Sequence, residues 1–207
     1  VELPHGPGMD TMAAMQAAHR GEIDAAVMMG GNLFEANPDT AWAHEAFNRI
    51  GFKLYLTTTL NRGHVHGLGD GECLILPVTA RDEEWQPTTQ ESMFNFVRLS
   101  DGGIHRLDGV RPESDILCDL ALRLMPGSAI DFAAFKTHRT VREAIAKIVP
   151  GMQDLADIDV AKHEFHVRGR LLHTPEFHTA DGRAHFVVRP LPDVAPAGLV
   201  LTTVRSE

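Results

Sequence analysis

The sequence of 207 residues is long enough for one large domain or two small ones. Lys and Arg number 19 against 28 Asp and Glu, a net charge of −9 with histidine neutral, which argues against the basic face that a nucleic-acid binder needs. A hydrophobic share of 43% suits a globular chain with a sizeable core. No run approaches the roughly 18 apolar residues of a membrane helix, so neither nucleic acid nor membrane is an expected partner. The two cysteines, Cys73 and Cys118, form neither a CxxC motif nor a disulfide framework, and a reducing cytoplasm is the expected compartment. An iron–sulfur cluster normally takes four thiolates, so this chain cannot hold one alone. The 12 histidines make a metal site worth weighing.

Residues 1–9 read as a loop. Asp10 can cap a short helix that ends near Gly21. Ile23 to Met29 is a short apolar run closed by Gly30-Gly31, the pattern of a buried parallel strand. Asn37-Pro38 predicts a helix start, and Ala43, Ala46, Phe47 and Ile50 then share one face. Phe52 to Thr57 predicts the next strand, with Phe52, Leu54 and Leu56 alternating with Lys53 and Tyr55. Cys73 to Pro77 predicts a third. Helix, strand, helix, strand, loop, strand is the pattern of a parallel sheet with covering helices.

Beyond residue 80 the pattern changes. Residues 81–92 are polar and irregular. Phe94 to Leu99 and Gly103 to Leu107 flank Ser100-Asp101-Gly102, which predicts a hairpin. Pro112 opens a helix with Ile116, Leu117, Leu120, Ala121 and Leu124 inward, stopped by Pro126-Gly127. Thr140-Val-Arg-Glu143 predicts a capping box, with Val141, Ile145, Ile148 and Val149 as the buried stripe. Residues 163–190 read as short strands, with Thr179-Ala-Asp-Gly182 as the turn before Ala184 to Val188. Pro190 to Pro196 reads as a linker. Leu199 to Arg205 reads as a strand with little sequence left to partner it, so the chain is expected to be a piece of something longer.

Several clusters could carry chemistry. Gly30-Gly31-Asn32, at a strand's C-terminal end, lets backbone amides approach a phosphate or base closely, although it is neither GxGxxG nor a P-loop, and a plain tight turn has the same composition. Thr57-Thr58-Thr59-Leu60-Asn61-Arg62 gathers hydroxyls, an amide and a guanidinium at the same predicted edge, suited to nucleotide edges and phosphate; a solvated turn with a helix cap is the competing reading. His64-Val-His66 can supply two metal ligands from an extended segment, with His163, His166, His173 and His178 as further candidates, or can simply bond backbone groups. Arg81-Asp-Glu-Glu84 reads as a solvated charge run. Cys118 and Cys73 read as inert thiols in a helix and a strand.

Taken together, Val27-Met-Met-Gly-Gly-Asn32 with Asn37-Pro-Asp39, Leu60-Asn61-Arg62-Gly63-His64, Leu74-Ile75-Leu76-Pro77 and Thr179-Ala-Asp-Gly182-Arg-Ala-His185-Phe186 resemble the molybdopterin oxidoreductases of the dimethyl-sulfoxide-reductase superfamily. The formate dehydrogenase alpha-subunit-like branch is the closest match. Gly103 to Leu107, Pro112-Glu113-Ser114 with its Leu-rich helix, and the Leu199 strand extend the likeness over essentially the whole chain. The resemblance implies a middle segment of a molybdenum or tungsten enzyme carrying molybdopterin guanine dinucleotide, with a 4Fe-4S cluster, if present, held elsewhere. It implies an α/β fold: residues 1–80 a Rossmann-like parallel sheet with covering helices that binds the dinucleotide, 81–190 a mixed α+β connecting region, and 191–207 a linker and the first strand of a barrel. Gly30, Gly31 and Asn32 would line the phosphate or guanosine end of the cofactor, Thr57 and Thr58 would face its guanosine, and Asn61, Arg62 and His64 would lie close by. Gly-Gly-Asn stands where many relatives have Gly-Glu-Asn, and Thr-Thr where many have Gln-Asp. The remaining domains of the parent polypeptide would be the partners. Two other classes fit the residues alone: a zinc hydrolase using His64 and His66, and a non-catalytic nucleotide-binding module.

Overall fold

The computed structural model describes residues 8–92, 95–168, 176–188 and 190. They fall in two units, 1–168 and 169–207. The first unit begins with helix α1 (Thr11–His19), capped as the sequence predicts: the Asp10 carboxylate accepts from Ala13 N–H at 2.7 Å. Strands β1 (Ala25–Met29), β2 (Phe52–Thr57) and β3 (Glu72–Pro77) form a parallel sheet in the order β1-β2-β3. The short helix α2 (Leu33–Ala36) and helix α3 (Thr40–Asn48) connect β1 to β2, and one helical turn, α4 (Gly63–His66), connects β2 to β3. The expected α/β architecture is present, with β2 in the centre.

The register sets the faces. Val27 pairs with Leu54 and Leu54 with Leu74; Met28 pairs with Tyr55 and Tyr55 with Ile75. Side chains alternate between faces along each strand. Ala26 and Met28 pack with Met15, Ala43, Ala46, Phe47 and Ile50, so α1 and α3 cover that face. On the other face Leu54, Leu56 and Val78 meet Ile116 and Leu117 of helix α5 (Glu113–Leu124). Val27, Met29 and Leu74 on this face remain about half exposed, at 45%, 50% and 47%.

Lys53, read as the polar partner of an alternating strand, is 0% exposed. A central parallel strand is covered on both faces, so its polar positions are buried too. The Lys53 Nζ donates to the carbonyls of Phe47 (3.1 Å) and Ile50 (2.6 Å), at the C-terminal end of α3. The Phe47 carbonyl also accepts from the Ile50 N–H at 3.2 Å, and Lys53 adds a second donor in the region of the negative end of the helix dipole. Burial pushes the Lys53 ammonium below its ordinary pKa.

Strands β4 (Thr88–Glu91), β5 (Phe96–Ser100) and β6 (Phe165–His166) form an antiparallel sheet in the order β4-β5-β6. Its core joins Val97, Met152, Leu155, Ile158, Phe165 and Val167, with Ile145 of helix α6 (His138–Ile148) and Val149 just beyond that helix packed against it. A one-turn helix, α7 (Ile158–Ala161), precedes β6.

Several local expectations are corrected. The helix after Asn37 starts at Thr40 with Asp39 as its cap, because the Asp39 carboxylate accepts from Trp42 N–H at 3.0 Å while the Asn37 side chain is turned back onto the Leu33 carbonyl. No hairpin forms about Ser100–Gly102. Gly103 N–H bonds the Glu84 carbonyl at 2.7 Å, and β5 pairs with β4, inside the stretch read as irregular. Gly102 sits at φ +68, where a Cβ would stand 2.1 Å from the Glu84 carbonyl oxygen, so it serves a close crossing rather than a hairpin turn. Thr140 caps nothing: α6 begins two residues earlier, with the His138 N–H bonded by the Gln86 side chain at 3.0 Å. Ile148 and Leu124, expected inward, are 77% and 70% exposed. Arg81–Glu84 is more than a solvated run, since Glu84 is buried and accepts from the Thr79 hydroxyl at 2.6 Å.

In the second unit the Thr179–Gly182 turn forms: Gly182 N–H reaches the Thr179 carbonyl at 3.1 Å, and Asp181 accepts from Arg183 N–H and pairs with His185. Residues 184–188 form no strand. The expected strand at Leu199, and all of Pro190–Pro196 but Pro190, lie outside the described residues. Among the described residues no helix is long and apolar enough to cross a membrane.

Truncating Lys53→Ala removes a buried side chain and its hydrogen bonds to the Phe47 and Ile50 carbonyls. We expect a loss of about 3 kcal/mol in urea unfolding, and a smaller loss for Lys53→Met, which keeps the stem.

Candidate functional site

The C-terminal ends of β1 and β2 lie side by side, with Met29 paired to Leu56. Gly30 extends that ladder, its N–H donating to the Leu56 carbonyl at 2.8 Å. Gly30 and Gly31 then turn through φ +55 and +69, the left-handed region that glycine enters without strain. A Cβ built on either meets nothing within 4 Å, so this backbone opens onto free space. The chain turns tightly at these two glycines, and the space beside them is open.

Asn32 follows as the cap of α2. Its Oδ1 accepts from the Glu35 N–H at 3.2 Å and its Nδ2 donates to a Glu35 carboxylate oxygen at 2.7 Å. The other Glu35 oxygen pairs with the Arg62 guanidinium at 3.1 Å. Asn61 joins the two loops directly: its Nδ2 donates to the Gly31 carbonyl at 3.2 Å and its Oδ1 accepts from Gly63 N–H at 2.9 Å. Gly63 is required where the loops meet, for a Cβ there would stand 2.6 Å from Asn32 Oδ1 and 3.0 Å from Asn61 Oδ1.

Thr57 is buried and spends its hydroxyl on the Thr59 carbonyl at 2.7 Å, which fixes the turn after β2. Thr58 is exposed at the same edge. His64 points inward. It is 4% exposed, its Nδ1 accepts from Asn61 N–H at 3.0 Å, and its ring meets Tyr55 edge to face at 4.9 Å. The neutral ring thus carries its proton on Nε2. Burial lowers the His64 pKa and raises that of Tyr55 to about 12.

The structure therefore brings Gly30, Gly31, Asn32, Asn61 and Arg62 to one edge, with Thr58 exposed beside them. Thr57 and His64 sit beneath as supports. The His64-Val-His66 segment is a helical turn rather than an extended strand; His64 is buried and His66 exposed, and among the described residues no group of three His, Cys, Asp or Glu side chains could hold a metal. Glu35 is the site residue that sequence reading misses. Its signal is the Asn32-x-x-Glu35 spacing, a cap followed three residues on by a carboxylate.

No family model matches the chain. An uncharacterized oxidoreductase of Mycobacterium tuberculosis is 37% identical over 224 aligned positions, which take in 100% of this chain and 28% of that protein. The protein YdeP of Escherichia coli is 27% identical over 217 positions, covering 98% of this chain and 28% of its own length. The chain spans 28% of the length of the curated relatives it matches.

Two outcomes are expected from this geometry. Gly63→Ala forces the two asparagines apart and should lower stability by about 2 kcal/mol in denaturant titration. His64 has a folded pKa below its unfolded value near 6.5. The unfolded chain then binds more protons, and its contribution to stability, complete above that value, is lost as pH falls through the folded pKa. Thermal midpoints of the native protein should fall on going from neutral to mildly acid pH, and the His64→Asn variant should show a shallower fall.

Proposed function

We propose that the chain is the part of a larger molybdenum or tungsten oxidoreductase, of formate dehydrogenase-like type, that holds the guanosine diphosphate end of a molybdopterin guanine dinucleotide. The observation that carries this reading is the Asn61–Gly31 bond, which locks two polar loops together at the C-terminal edge of a parallel sheet, where open α/β sheets take their ligands. The relatives named as oxidoreductases support the enzyme class.

The residues suit such a ligand. The open backbone at Gly30 and Gly31 gives a diphosphate room to approach. Asn32 Nδ2 and the Arg62 guanidinium are donors for phosphate oxygens. Thr58 offers an exposed hydroxyl to the nucleoside. Thr57 shapes the turn, and His64, neutral and buried, holds the Asn61 main chain so that its amide meets Gly31. The bound cofactor supplies the redox chemistry at its metal; this chain binds and orients one end of it. With only Cys73 and Cys118 here, a 4Fe-4S cluster would be ligated by other parts of the polypeptide, which would also shape the substrate pocket.

The test is elemental analysis of the full-length native protein purified anaerobically. Molybdenum or tungsten in near-stoichiometric amount, with about two guanine nucleotides released per metal on acid treatment, is the expected result. Stoichiometric zinc with neither metal overturns the reading.

A further inference from the structure

Glu35 holds the two groups that the proposed site offers to phosphate. One carboxylate oxygen accepts from Asn32 Nδ2 at 2.7 Å and the other meets the Arg62 guanidinium at 3.1 Å. Two donors facing the paired oxygens of one anion form the recognition geometry of a phosphate as much as of a carboxylate. Glu35 lies in α2, three residues after its cap Asn32, and its side chain is 34% exposed, so it can swing away by side-chain rotation alone. Arg62, with its guanidinium on Glu35, is 75% exposed at the mouth of the site.

We infer that Glu35 is a built-in competitor: its carboxylate occupies the phosphate position between Asn32 and Arg62 and is displaced when a nucleoside diphosphate binds. The inference rests on the nucleotide reading of this edge. Glu35 then has two effects. It cancels the Arg62 charge in the free protein, so that single small anions gain little from entering. It also makes the site selective for ligands that bring further contacts, through a second phosphate or a nucleoside, since only these offset the loss of the Glu35 bonds. Affinity is lowered by the fraction of molecules in which Arg62 is released.

The experiment uses the full-length protein from a host unable to make the pterin, titrated calorimetrically with guanosine 5′-diphosphate and with guanosine. Glu35→Gln keeps the shape and removes the charge. The expected result is binding of the diphosphate about three- to tenfold tighter than in the native protein, with guanosine affinity unchanged and the thermal midpoint little moved. A residue that merely braced the loop would shift both ligands alike. Arg62→Gln in the Glu35→Gln background should remove the gain. Diphosphate binding by the native protein that is unchanged or weakened in Glu35→Gln overturns the competitor role and leaves the site standing. Absence of diphosphate binding in both forms overturns the site reading and this inference with it.

Discussion

The ammonium of Lys53, buried at the centre of the sheet, must be solvated by the protein itself. The chain meets that demand with the carbonyls of Phe47, in the last turn of α3, and of Ile50, two residues past its end. This fixes where α3 ends against β2, and with it the packing of Ala43, Ala46 and Phe47 on the sheet. Because β2 is the middle strand, its position sets how far β1 and β3 run and where their C-terminal ends fall. The loop that carries Asn32 starts from the end of β1, and the loop that carries Asn61 from the end of β2 itself. A charge placed where a hydrophobic residue would be ordinary thus holds the frame on which the polar edge is hung.

That edge is organised by amides rather than by helix ends. Asn61 closes the gap between the loops, Asn32 orders the turn after the glycines, and Gly63 lets both approach. His64 contributes from below through a single main-chain bond. The outer layer, Arg62 and Glu35, is more exposed and more readily rearranged. The site therefore has a firm floor and a movable rim.

Much of this was legible in the sequence where local and long-range demands agree. The bounds of β2 follow from an apolar run set between Gly51 and three threonines, and the capped α1 from Asp10. Where two local signals compete, neighbours decide: Asp39 takes the cap that Asn37-Pro38 advertised, and Gln86, distant in sequence, starts α6 ahead of Thr140. The hairpin chemistry of Ser100–Gly102 misled because Gly102 answers to a carbonyl across the fold, which no neighbouring residue reveals. The site glycines and asparagines were visible as a composition; their mutual bonds, and the part of Glu35 in them, depend on strands some thirty residues apart being set in register.

The half-exposed side chains of Val27, Met29 and Leu74 have a colloidal consequence. They are exposed apolar side chains on a chain with a net charge of −9. At low ionic strength like-charge repulsion keeps two copies of the chain apart. At about 0.15 M salt the Debye length shrinks to roughly 8 Å, and these side chains are left to dispersion and hydrophobic attraction. Salt, which weakens the Arg62–Glu35 pair at one end of the sheet, therefore promotes self-contact through the exposed Val27, Met29 and Leu74.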